Sequence, residues 1–82
     1  MITVRVKLFA AIRDLVGKDE EIITLSPGSN VSAVVDSLIS QYPKIGKWKH
    51  HVRVAVNQEY VSMEHQLNND DEVVVIPPVS GG

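Results

Sequence analysis

No cysteine occurs among the 82 residues, which excludes disulfides, thiolate metal ligands and a cysteine nucleophile in one step. It also forbids carrying sulfur as a side-chain persulfide, so sulfur chemistry here would have to use a backbone group. Long hydrophobic runs are equally absent. Val73 to Ile76 falls far short of the roughly 20 apolar residues that span a bilayer, and Met1 leads straight into a strand pattern without the charge and apolar block of a signal peptide. Membrane association is therefore not expected, and the expected location is cytoplasmic. Ten acidic residues against eight basic ones give a net charge of -2. No stretch concentrates Lys and Arg strongly enough to track a phosphate backbone, so nucleic acid is not an expected partner. Internal repeats, linkers and low-complexity tracts are missing as well.

What is present suits one small soluble domain. A length of 82 residues, with 44% hydrophobic and 22% charged residues, supports one modest core and no cleft between two domains. Ile2, Val4, Val6 and Leu8 alternate with Thr3, Arg5 and Lys7, the period of a strand with one buried face. Phe9 falls on the polar side of that alternation and is expected to be exposed. Ala10 to Val16 reads as a short helix that Gly17 ends. Glu21 to Leu25, before the turn signal Ser26-Pro27-Gly28, reads as a second strand pairing with the first. Asn30 then caps the principal helix, whose stripe of Val31, Val34, Val35, Leu38, Ile39 and Tyr42 runs until Pro43 stops it.

Lys44 to His51 reads as an irregular connection or a single turn, with Trp48 covering one end of the core. Val52, Val54 and Val56 alternate as a third strand, Asn57-Gln58-Glu59 turn, and Tyr60-Val61 return briefly. Leu67 supplies a core contact before the turn Asn68 to Asp71, and Glu72 to Ile76 forms the last strand. One long amphipathic helix covering one face of a mixed sheet is an α+β arrangement that suits a β-grasp fold.

Catalytic constellations are weak. His50 and His51 are adjacent, with diverging rings if they lie on a strand, and His65 lies in a turn, so no metal site is expected. Asp70, Asp71 and Glu72 follow Asn68 and Asn69, where short polar side chains more naturally satisfy backbone groups of a turn. No phosphate-binding glycine loop or Ser/His/Asp spacing is present. The unusual feature is the end of the chain. Pro77-Pro78 cannot continue a ladder because proline donates no amide. The β-grasp domain is thus expected over residues 1–78, with Val79, Ser80, Gly81 and Gly82 projecting as a tail. Fully extended, four residues reach roughly 13 Å, and the two glycines can thread a passage too narrow for side chains. An ordinary frayed terminus is the alternative reading.

The chain resembles the small, sulfur-carrying subunit of molybdopterin synthase, in the ubiquitin-like β-grasp superfamily. The resemblance runs through Leu8-Phe9-Ala10, Ile12-Arg13-Asp14-Leu15 with Gly17, Ala55-Val56-Asn57-Gln58, Asp71-Glu72-Val73, and Pro77-Pro78-Val79-Ser80-Gly81-Gly82. The last block is the most specific. Asp70 departs from it, since glycine is common there, but Asp can occupy the left-handed conformation such a turn requires. The resemblance implies a non-catalytic subunit with no permanently bound cofactor. Its Gly82 carboxylate, with a pKa of about 3.5 and hence a poor electrophile at neutral pH, is adenylated by an E1-like partner using ATP. A sulfur donor then converts it to a thiocarboxylate. The tail delivers that sulfur to cyclic pyranopterin monophosphate within the large catalytic subunit, in a heterotetramer.

Docking needs a surface, and the strand alternation supplies one. Phe9, Tyr60 and Ile76 are expected to form an exposed apolar patch beside the tail exit, with Arg13 on its rim; Phe9 as a plain cap on the core edge is the alternative. Three other functions use the same features: a sulfur carrier for thiamine or tRNA thiolation, a protein modifier forming isopeptides with lysine, and a passive interaction domain indifferent to loss of Gly81-Gly82.

Overall fold

A computed structural model describes residues 1–78 of the chain. Alternating residues of β1 (Ile2–Leu8) send Val4, Val6 and Leu8 inward and leave Arg5 exposed. α1 (Ala10–Val16) follows, and Gly17 ends it at φ 85, its amide donating to the Arg13 carbonyl. That left-handed C-cap is the glycine role expected from the sequence. β2 (Glu20–Leu25) returns antiparallel to β1, with Val4 opposite Ile23. α2 (Val31–Gln41) is capped by Asn30, whose Oδ1 accepts from the Ala33 amide at 3.1 Å, satisfying one of the helix's orphan donors.

β3 (Arg53–Val56), β4 (Glu59–Val61) and β5 (Glu72–Ile76) complete one five-stranded sheet of order β2-β1-β5-β3-β4. β5 runs parallel to β1 and antiparallel to β3. The central strand, β5, is the last in sequence and lies beside the first, and the parallel pairing requires the long crossover that contains α2. Val31, Val34, Val35 and Leu38 of α2 pack with Val4, Val6, Ile23, Val54, Val73 and Val75 in one core. This is an α+β mixed sheet covered on one face, as the periodicities predicted. No helix among the described residues is long and apolar enough to cross a membrane.

Two local readings need correction. Pro43–Trp48 is a six-residue 3₁₀ helix, longer and more regular than the irregular connection or single turn expected, and Ile45 within it is 1% exposed. Three residues per turn place Ile45 and Trp48 on one side, so Ile45 enters the core while half-buried Trp48 packs against it. His50 and His51 lie in the exposed turn that follows, because β3 begins only at Arg53. Their divergence therefore cannot be argued from strand geometry.

The turns at the opposite end behave as their chemistry dictates. Asn57 and Gln58 have φ of 50 and 74, the pattern of a two-residue type I′ hairpin between β3 and β4. The Asn57 side chain accepts from the Glu72 amide at 3.1 Å and donates to Asp71 at 3.0 Å, while the Asn68 amide donates to the other Asp71 oxygen at 2.8 Å. Asp70 adopts φ 69, the left-handed conformation anticipated for it. The acidic cluster is thus engaged as turn chemistry, and it pins the start of β5 to the β3–β4 hairpin.

Candidate docking surface and tail exit

Because α2 covers only one face, the outward residues of every strand share the other. Pairing aligns them in rows: Glu20, Lys7, Val74, Ala55 and Tyr60 in one, and Ile76 with Arg53 in the next. Leu8 is paired with Val75, so continuing the register by one residue sets Phe9 beside Ile76 at the end of the ladder. Phe9 is 45% and Tyr60 63% exposed, and Ile76 and Val74 are half-buried. Val74 and Ile76, though half-buried, are not packed against the core cluster. Phe9 is exposed, as the alternation of β1 predicted.

Extension of the β1–β5 register sets Phe9 next to Ile76, and Tyr60 lies on the same face, two strands from Ile76. What joins them escaped the sequence reading. Arg53, opposite Ile76, lies over the Tyr60 ring at 4.7 Å, and Ala55 and Val74 lie between Tyr60 and Lys7. The outward phase of β3 was available from Val54 and Val56, and would have found Arg53 and Ala55. Lys7 bridges to Glu72 at 3.2 Å, so the apolar strip has a charged border. Arg13 shares a surface pocket with Lys7, Leu8, Phe9, Asp19 and Glu20. Its guanidinium lies 3.9 Å from Asp14 and 3.8 Å from Asp19, which places it on the rim beside Phe9.

Local rules are broken at Phe9 and its neighbour. Phe9 occupies the N-cap of α1 without a capping side-chain bond, where Ser, Thr, Asp or Asn would be preferred. Ala10 sits at φ 50, a left-handed conformation costing about 1 kcal/mol for a residue with a Cβ.

β5 leads through buried Pro77 to exposed Pro78; the expected tail, Val79, Ser80, Gly81 and Gly82, lies outside the described residues. Among the described residues, His, Asp and Glu do not gather in threes as a metal would require. Tyr42 is half-buried and its hydroxyl donates to Glu21 at 3.1 Å; burial, then the Glu21 carboxylate, raises its pKa above 10.0.

A mixed sheet clasping one helix, with an exposed apolar face beside the end of its last strand, defines a ubiquitin-like β-grasp protein. Residues 6–82 match the ThiS family, and the chain belongs to that family. It is 37% identical over 81 residues to the molybdopterin synthase sulfur carrier subunit of Dictyostelium discoideum, covering 95% of this chain and 94% of that protein. Among solved structures, a Pyrococcus furiosus protein described as molybdopterin converting factor subunit 1 superposes with a TM-score of 0.86 at 34% identity, covering 96% of this chain and all of that one. The small archaeal modifier protein 1 of Methanosarcina acetivorans superposes with a TM-score of 0.83 at 29% identity, over all of this chain and 98% of the other. The resemblance to sulfur-carrying synthase subunits drawn from the motifs is borne out.

Proposed function

We propose that this protein is the sulfur carrier of a molybdopterin synthase, delivering sulfur from a thiocarboxylate at Gly82. The observation that carries this reading is the likeness to sulfur carrier subunits along nearly the whole chain, through the Pro77-Pro78-Val79-Ser80-Gly81-Gly82 block. Physical chemistry supplies the sequence of steps. An adenylating enzyme attaches the Gly82 carboxylate to the α-phosphorus of ATP with loss of pyrophosphate, and sulfide-level sulfur displaces AMP from the acyl adenylate. The resulting thiocarboxylate is a stronger nucleophile than the carboxylate. A tail without side chains at its last two positions fits a narrow passage in the large synthase subunit, which limits hydrolysis and positions the sulfur.

In this scheme the domain of residues 1–78 presents the tail and the partner supplies the catalytic groups. Phe9, Tyr60 and Ile76, with Arg53, Ala55 and Val74 between them and Arg13 at the rim, form the surface that each partner covers in turn. Intact mass spectrometry after incubation with an adenylating enzyme, ATP and a sulfur source tests the chemistry. Exchange of oxygen for sulfur adds about 16 Da, and deletion of Gly81-Gly82 abolishes the gain. An unchanged mass under conditions that convert a known carrier overturns the proposal.

The likeness to an archaeal modifier protein supports a second reading, conjugation of Gly82 to lysine. Covalent adducts in cells that require Gly82, without thiocarboxylate formation, would favour it.

A further inference from the structure

Charge is distributed unevenly along the chain. Residues 37–58 contain no Asp or Glu, yet hold Lys44, Lys47, Lys49 and Arg53, half of the eight Lys and Arg residues, together with His50 and His51. The fold sets the turn before β3, within this segment, beside the end of β5. β3 and β5 are antiparallel with Arg53 opposite Ile76, so the turn before Arg53 lies next to Pro77 and Pro78, where the chain continues into residues 79–82. This turn forms a basic lip on one side of the tail exit, and Lys47 and Lys44 lie on the 3₁₀ helix that leads into it.

Little of this charge is neutralised internally. Among the described residues, Lys49 meets Asp36 at 3.2 Å, while Lys47 lies over the Trp48 ring at 4.6 Å and Arg53 over Tyr60. Lys44 and Lys47 form no ion pair among the described residues, and Lys44, Lys47, Lys49, His50 and His51 are all exposed. Stacking on aromatic rings holds two of the cations in place without cancelling their charge. Four cations are too few to follow a phosphate backbone, but they are ample to bias a protein encounter.

We infer that this lip is an electrostatic docking surface for an acidic patch on the large synthase subunit, beside the opening that receives the tail. The inference rests on the carrier reading above and adds the chemistry of the partner surface. A lip on one side of the exit also sets the rotation at which the domain docks, so that the apolar strip and the tail arrive in register. Charges at the edge of an interface act mainly on the rate of encounter and its dependence on salt.

Stopped-flow association of the full chain with the purified large subunit, at 20 and 300 mM NaCl, tests this. The wild-type rate constant is expected to fall by about tenfold over that range. Lys47→Gln with Lys49→Gln should lower the low-salt rate about threefold to fivefold and flatten the salt dependence, with little change in dissociation. Lys44→Gln with Lys47→Gln gives a second variant that leaves the Asp36 pair intact. Thr24→Glu with Ser26→Glu, at the far end of the sheet, shifts net charge by the same amount and should keep the wild-type slope. Binding by the wild type with an unchanged rate and slope in both lip variants overturns the lip alone. A far-end variant as slow as the lip variants does the same. Failure of the wild type to bind at either salt concentration overturns the carrier reading and the lip with it.

Discussion

Replacing Phe9 with Ser separates recognition from folding. Phe9 is 45% exposed, and an aromatic side chain presents roughly 200 Å² in total, so about 90 Å² remains for a partner to cover. At about 25 cal/mol per Å², covering it contributes about 2 kcal/mol, roughly thirtyfold in Kd. Isothermal titration of the full chain with the large synthase subunit at 25 °C should show that loss, while Phe9→Leu retains most of the affinity. The covered half of the ring also leaves the domain, so chemical denaturation should show a loss of at most about 2 kcal/mol. The titration must therefore be run well below the melting temperature. Tyr60 is 63% exposed but already stacked with Arg53, so Tyr60→Ser should weaken binding by less, about 1 kcal/mol. A Phe9→Ser Kd within threefold of wild type would refute the assignment of the open face as the docking surface.

Three further outcomes follow from local structure. Asp71→Ala strips the acceptor from the Asn57 side chain and the Asn68 amide, and should cost about 2–4 kcal/mol in urea denaturation, lowering the melting temperature by on the order of 10 °C; a loss under about 1 kcal/mol would show that water replaces these bonds. Ala10→Gly should stabilise the domain by up to about 1 kcal/mol because Ala10 sits at positive φ, whereas ordinary helix propensity predicts destabilisation of similar size, so the sign of the change decides. Tyr42 has its pKa raised by burial and by Glu21. Its protonated form is favoured in the folded state, so its contribution is complete below pH 10 and is lost as pH rises through the folded value. Tyr42→Phe should flatten the alkaline fall in stability measured by denaturation between pH 9 and 12, and a fall of unchanged steepness would show that other groups cause it.

Much of the architecture was legible because its signals are local. The alternation in β1, the stripe of α2, the Asn30 cap and the Gly17 stop each reflect rules acting over a few residues, and each holds in the structure. Lys44 to His51 was less legible because the helical and 3₁₀ readings of two apolar residues three apart are separated only by what they pack against. Ile45 fills the end of the core, a fact of tertiary packing. The placement of Phe9 and Ile76 on the open face was readable from the excess of apolar residues over one covered side. The outward phase of Arg53 was readable from Val54 and Val56, but its place opposite Ile76 and over Tyr60 was not, because those residues lie far from each other in the chain.

By itself the sequence determined the strand and helix periods, the absence of thiol chemistry and the Pro77-Pro78-Val79-Ser80-Gly81-Gly82 motif, because each is a property of residue type and spacing. Only the tertiary structure decided that β1 and β5 lie side by side, which residues meet across the open face, and that the basic segment lies beside the end of β5. Strand order and register arise from long-range pairing and from burial on one face, and neither is written in any short stretch of the chain.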